Sequence, residues 1–143
     1  MADRTESTIV IEATSSAILD VIADLNSYPQ WSEGIASVDV LETDKNRPTL
    51  ARFVLDAGMI KDTYELSYSW KSDFVEWHLV DATVLSLMDG SYSLRDLGDG
   101  GTEVAYALTV DIKIPMLGMM KRMAEKTIID TALKGLKARV EQS

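Results

Sequence analysis

Few side chains in this sequence have the type and spacing that chemistry demands, and most of those are aromatic. His78 is the sole histidine and cysteine is absent. A histidine-based triad therefore has one candidate, a multi-histidine or thiolate metal site has none, and disulfides are excluded. His78 shares strand parity with Glu76 and opposes Trp77, which turns it toward solvent. No nucleophile-elbow sequence is present. Gly98-Asp99-Gly100-Gly101 lacks the Lys-Ser/Thr of a phosphate loop and leads into a strand, so it reads as a hairpin turn. No catalytic residue, metal site or cofactor is expected.

What remains is Tyr64, Tyr68, Trp70, Trp77, Tyr92 and Tyr106. Buried tyrosines need partners for their hydroxyls, so several on one concave face imply a wet or ligand-occupied interior. The plainer alternative is an ordinary core whose hydroxyls reach the rim. Phe53, Leu66, Trp77 and Met88 are expected to line a cavity with Tyr64, Tyr68, Tyr92 and Tyr106. Asp62 has the parity of Tyr64 and lies near a strand start. Facing inward it would make a polar contact to a ligand or act as a base; facing outward it is a solvated turn carboxylate. Methionines crowd the start of the last helix, at Met116, Met119, Met120 and Met123. Flexible thioethers suit an adaptable apolar pocket as well as plain packing. Met116, Met120, Met123 and Ala124 are expected on the cavity side. Gly118 would loosen the helix start, and Gly90 reads as a bulge or bend.

The elements that must position these residues follow from periodicity. Thr8-Ile9-Val10-Ile11-Glu12-Ala13 predicts a strand, and Thr14-Ser15-Ser16 supplies helix N-cap residues. Ile18, Val21, Ile22 and Leu25 then repeat at helical spacing until Asn26-Ser27-Tyr28-Pro29 stops them. From Val38 the period becomes two. Alternation runs through Ala51–Ala57, Thr63–Lys71, Val75–Leu79 and Glu103–Val110, with turn residues between. Pro115 is expected to open a long helix with apolar positions Met116, Leu117, Met120, Met123, Ala124, Ile128, Ala132, Leu136 and Val140. The order is strand, short helices, about six meandering strands and a long helix. That is an α+β domain spanning 1–143, in which only the last helix is long enough to cover the sheet's apolar face.

Charge and composition exclude other classes. The chain has 143 residues, 26% charged and 46% hydrophobic, in the globular range. Its net charge of −9 argues against nucleic-acid binding. Residues 114–143 carry six basic and three acidic side chains, net +3, which leaves −12 on the rest. This is either a solvated basic face or a surface for an anionic lipid membrane or an acidic partner. The acidic N-terminus has no signal-peptide character and no apolar run is long enough to span a membrane, so a cytoplasmic protein is expected.

Three stretches give the chain a family likeness. The first is the run from Ala13 to Tyr28-Pro29-Gln30-Trp31, followed by an extended Ile35 to Glu42. The second is Asp89-Gly90-Ser91-Tyr92-Ser93-Leu94, leading through Gly100-Gly101-Thr102-Glu103-Val104-Ala105-Tyr106. The third is Leu133-Lys134-Gly135-Leu136-Lys137. In these the chain resembles the START-like superfamily of polyketide cyclases, dehydrases and lipid-transport proteins, especially its short bacterial members. The resemblance implies the helix-grip (START-like, Bet v 1-like) fold: a curved antiparallel sheet gripping a C-terminal helix, with two short helices after the first strand. It implies a hydrophobic small-molecule ligand such as a lipid, isoprenoid or polyketide. A cyclase/dehydratase and a co-chaperone-like interaction module remain alternatives, since one fold hosts many activities.

Overall fold

The structure, a computed structural model, describes residues 4–32, 34–56, 61–113 and 118–142. It opens with β1 (Thr5–Ile11) and α1 (Ser15–Ala23), whose first turn is capped by Thr14 Oγ1 accepting from Ala17 N at 3.2 Å. A 3-10 turn (Leu25–Ser27) and the short α2 (Tyr28–Trp31) follow. Pro29, expected as a stop signal, lies in the first turn of α2, where a missing N–H costs no hydrogen bond. Next comes a meander of β2 (Ile35–Asp44), β3 (Arg47–Asp56), β4 (Lys61–Trp70), β5 (Phe74–Ala82), β6 (Leu85–Asp96) and β7 (Thr102–Ile112). The helix α3 (Gly118–Glu141) ends the chain; the expected start at Pro115 lies outside the described residues.

All seven strands form one antiparallel sheet in the order β1-β7-β6-β5-β4-β3-β2. Its turns follow local chemistry. Lys45 and Asn46 take positive φ of 52° and 67°, a two-residue connection matching strand twist between β2 and β3. Gly98 and Gly100 do the same between β6 and β7, at 83° and 91°. There the side chains of Asp96 and Asp99 accept from Gly98 N and Gly101 N at 2.8 and 3.0 Å. At the outer edge, β2 pairs with β3 through register shifts between Ile35 and Ser37, between Val40 and Glu42, and between Glu42 and Thr43.

The long helix packs on β1, β7, α1 and α2. Its buried face is Ile129, Leu133, Leu136 and Val140, joined by Glu125, which is 0% exposed. Glu125 Oε1 accepts from Thr5 Oγ1 at 2.6 Å and Oε2 accepts from Val110 N at 2.8 Å. The ladder between β1 and β7 ends at Thr5 opposite Leu108, so Val110 lies just beyond it. The Glu125 carboxylate takes the N–H of Val110 past the end of that ladder, satisfying a buried donor. Further along, Lys137 Nζ donates to Val10 O at 2.9 Å, and Glu141 Oε2 accepts from Glu12 N at 3.1 Å. Gly135 lets the helix approach α2: a Cβ there would stand 2.7 Å from the Trp31 backbone oxygen.

This face keeps Leu136 and Val140 of the expected stripe but differs from it earlier in the helix. Met120, Met123 and Ile128 are exposed, and the burial phase instead runs 125, 129, 133, 136, 140. The difference has a physical cause: a carboxylate at 125 looks like a break in an apolar stripe, but two donors from the sheet make it part of the buried face.

Candidate ligand-binding site

The concave face of the sheet carries a continuous aromatic band. Each member is positioned by strand parity, which sends every second residue inward, and by registers that set rings opposite one another. Phe53 on β3 pairs with Tyr64 on β4, and their rings stack with centroids 5.4 Å apart and planes 7° apart. Tyr68 pairs with Trp77 on β5 at 5.8 Å. Tyr92 on β6 pairs with Tyr106 on β7, edge to face at 4.7 Å. Trp77 bridges the two groups, 5.4 Å from Tyr92 and 5.6 Å from Tyr106. Tyr28, from α2, closes the band against Phe53 at 6.3 Å and Trp31 at 4.8 Å. Trp70 continues it outward from Tyr68 and donates from Nε1 to Pro48 O at 2.6 Å.

Gly90 explains why Trp77 can lie where it does. Expected as a bulge, Gly90 instead sits in regular register, opposite Trp77 on one side and Leu108 on the other. A Cβ at that position would overlap the Trp77 indole ring. The glycine is a floor on which the indole rests.

The hydroxyls distinguish this band from ordinary packing. Tyr28 Oη donates to Ile22 O at 2.5 Å. The hydroxyls of Tyr64, Tyr68, Tyr92 and Tyr106 have no hydrogen-bond partner among the described residues. Tyr64, Tyr92 and Tyr106 are nonetheless buried. Burial, the largest cause, pushes all four phenols well above their ordinary range. For Tyr64, Tyr68 and Tyr92 the nearness of other tyrosines, Tyr106 among them, adds to the rise. They are neutral groups able to donate at physiological pH. Among the described residues the indole Nε1 of Trp31 is the one buried side-chain polar atom without a partner, so the four phenol oxygens themselves reach open space. The band thus turns phenol O–H groups, each able to donate and to accept, toward the space it borders.

The remaining expected site residues fall in different places. Leu66 is buried between the aromatic rows, while Met88 and Ala124 are half-buried. Met116 lies outside the described residues. Met120 and Met123, expected on the cavity side, are 57% and 64% exposed, because Glu125 fixes the helix with their side turned outward. Asp62 is buried yet committed elsewhere: Oδ1 accepts from Thr83 N at 3.0 Å, and Oδ2 from Val84 N and Leu85 N at 3.1 and 2.9 Å. It is neither the solvated carboxylate nor the free ligand contact its sequence position suggested, because the β5–β6 turn offers it three backbone donors. His78 is exposed on the outer face, with Nδ1 2.7 Å from Asp89 Oδ1. No group of metal-ligating side chains occurs among the described residues.

Sequence reasoning missed three contributors. Glu125 carried no signal beyond its place on a helix face. Tyr28 and Trp31 were visible as part of Tyr-Pro-x-Trp, but only the fold brings α2 onto the aromatic band.

Comparison with known proteins agrees with this architecture. The START superfamily protein from Mycobacterium smegmatis superposes with a TM-score of 0.89 at 21% identity, covering 97% of each chain. The Zhui aromatase/cyclase from Streptomyces sp. R1128 gives 0.81 at 13% identity, over 99% of this chain and 95% of that one. A STAR-related lipid transfer protein from Xanthomonas axonopodis gives 0.75 at 17% identity, over 96% and 85%. No curated protein sequence matches this chain. Residues 11–137, from the end of β1 to the last turns of α3, match one family along their length. The chain therefore belongs to the polyketide cyclase / dehydrase and lipid transport family and has the START-like helix-grip fold.

Proposed function

We propose that this protein binds a neutral, largely apolar small molecule carrying oxygen acceptors, held between the aromatic band and α3. One observation carries the reading: four tyrosines stand together in the aromatic band of the concave face, and the described residues offer their hydroxyls no hydrogen-bond partner. Apolar rings would supply most of the affinity, at about 25 cal/mol per Å² of apolar surface removed from water. The phenols would orient the ligand by donating to carbonyl, ether or hydroxyl oxygens. Because burial keeps the phenols neutral, a ligand that needs a formal counter-charge at this wall is disfavoured.

Holding the ligand is favoured over turning it over. Asp62 and Glu125, the buried carboxylates, are both engaged by backbone donors, so neither is a free base beside the wall. Native mass spectrometry of the purified protein, followed by organic extraction, tests the reading directly. A one-to-one adduct with an oxygenated apolar molecule is expected. Tyr106→Phe and Tyr92→Phe should weaken its retention by about fivefold to tenfold each, the loss of one hydrogen bond. Protein that stays at its bare mass across a panel of lipids, quinones and polycyclic ketones would overturn it.

A further inference from the structure

The exposed start of α3 is the most unusual surface in the molecule. Met119, Met120 and Met123 are 69%, 57% and 64% exposed. Three large apolar side chains side by side on a helix demand a reason, whereas scattered ones do not. Their direction is fixed by the rest of the helix. Glu125 points into the protein, held by Thr5 and Val110. At about 100° per residue, Met123, Met120 and Met119 lie between about 120° and 160° around the helix from Glu125, so they face away from the sheet.

Cations surround them. Arg122 and Lys126 are exposed and Lys121 is half-exposed, with Lys126 Nζ 3.2 Å from Asp130. Just past the end of β7, the strand that packs on this helix, Lys113 donates to Ala82 O at 3.3 Å. The body of the protein is strongly acidic, net −12 over residues 1–113. A cationic, methionine-bearing helix start on such a body is a local reversal of sign.

We propose that the first two turns of α3 dock on the surface of an anionic phospholipid bilayer. Met119, Met120 and Met123 enter the boundary between headgroups and acyl chains, and Arg122 and Lys126, beside them on the helix, meet the phosphates. A bilayer fits these observations better than a second copy of the chain. The patch is the convex outward face of one helix rather than a groove that a second copy could fill. The proposal is independent of what the aromatic band holds.

Co-sedimentation with vesicles tests it. The full chain is mixed with phosphatidylcholine vesicles, with and without phosphatidylglycerol, at low and high salt. Binding is expected only with phosphatidylglycerol, and salt should weaken it. Each cation near the surface contributes about fivefold, so Arg122→Gln/Lys126→Gln should lower partitioning by about twenty-fivefold. Met120→Ser/Met123→Ser should lower it at unchanged charge. Circular dichroism and the thermal midpoint should be the same in all variants, showing that they remain folded. Equal binding to phosphatidylcholine alone, indifference to the charge variant, or no binding at all would each overturn the proposal. So would a solution dimer that the methionine variant dissociates, which would assign the patch to a second copy.

Discussion

Replacing Asp62 by asparagine should lower stability while leaving ligand retention almost unchanged. In the native protein its two oxygens accept three backbone N–H bonds, from Thr83, Val84 and Leu85 at 3.0, 3.1 and 2.9 Å. An asparagine can keep its oxygen on Val84 and Leu85, but its amide nitrogen then meets the Thr83 N–H, donor against donor. Thr83 is exposed and can turn to water, so the cost is mainly the loss of charge assistance, about 1–2 kcal/mol. Asp62→Ala removes every acceptor, including that of the buried Leu85, and should cost about 3–4 kcal/mol. With a urea m-value of about 2 kcal/mol/M, the midpoint should fall by about 0.5–1 M for the asparagine and by about 1.5–2 M for the alanine. Equilibrium unfolding followed by tryptophan fluorescence gives both numbers, and native mass spectrometry gives ligand retention on the same samples. A wild-type midpoint combined with lost retention would refute the reasoning, because it would place this carboxylate against the ligand instead of the turn.

Other expectations follow from the same contacts. Gly90→Ala should displace the Trp77 indole, shifting its fluorescence and weakening ligand retention at least tenfold; an unchanged emission spectrum would show that the indole does not rest on this glycine. Gly135→Ala should destabilise by about 1–2 kcal/mol although alanine favours a helix by about 1 kcal/mol, since its methyl meets the Trp31 backbone oxygen; a rise in thermal midpoint would contradict that packing. All five tyrosines have phenols raised by burial above their usual value of 10.0, so the native state keeps protons that the unfolded chain releases. Stability should be fully present below about pH 10 and fall as pH rises beyond it, with phenolate absorbance appearing in one cooperative step on unfolding. A gradual native titration near pH 10 would contradict this.

How much of this was legible in the sequence depends on the range of the interactions. The meander of strands and the inward parity of Phe53, Tyr64, Tyr68, Trp77, Tyr92 and Tyr106 follow from period-two alternation, which local chemistry enforces. The turn at Gly98-Asp99-Gly100-Gly101 was equally local. What alternation cannot reveal is which atoms meet across the fold. Asp62 looks like any carboxylate near a turn until the β5–β6 backbone closes over it. Glu125 reads as a polar interruption until Val110 is seen to lie past the end of the β1 ladder. That one residue shifts the phase of α3 and carries Met120 and Met123 from the expected inner side to the outer. Gly90 and Gly135 followed the same pattern, each placed by a ring or a backbone from a distant segment rather than by its own neighbours.

The irregular outer strand β2 has a consequence for how the protein behaves in a crowded solution. A sheet that does not close on itself offers a row of unpaired backbone groups, and another molecule's strand can add to such a row without limit. One edge of this sheet, β1, is stapled by α3 through Lys137 and Glu141. The other is interrupted by shifts at three places along β2, and Asp39, Glu42 and Asp44 stand along it. An incoming strand would find only short stretches in register, and a like-charged one would be pushed away. The same kinks that curve the sheet around its aromatic face thus guard the chain against fibrous self-association.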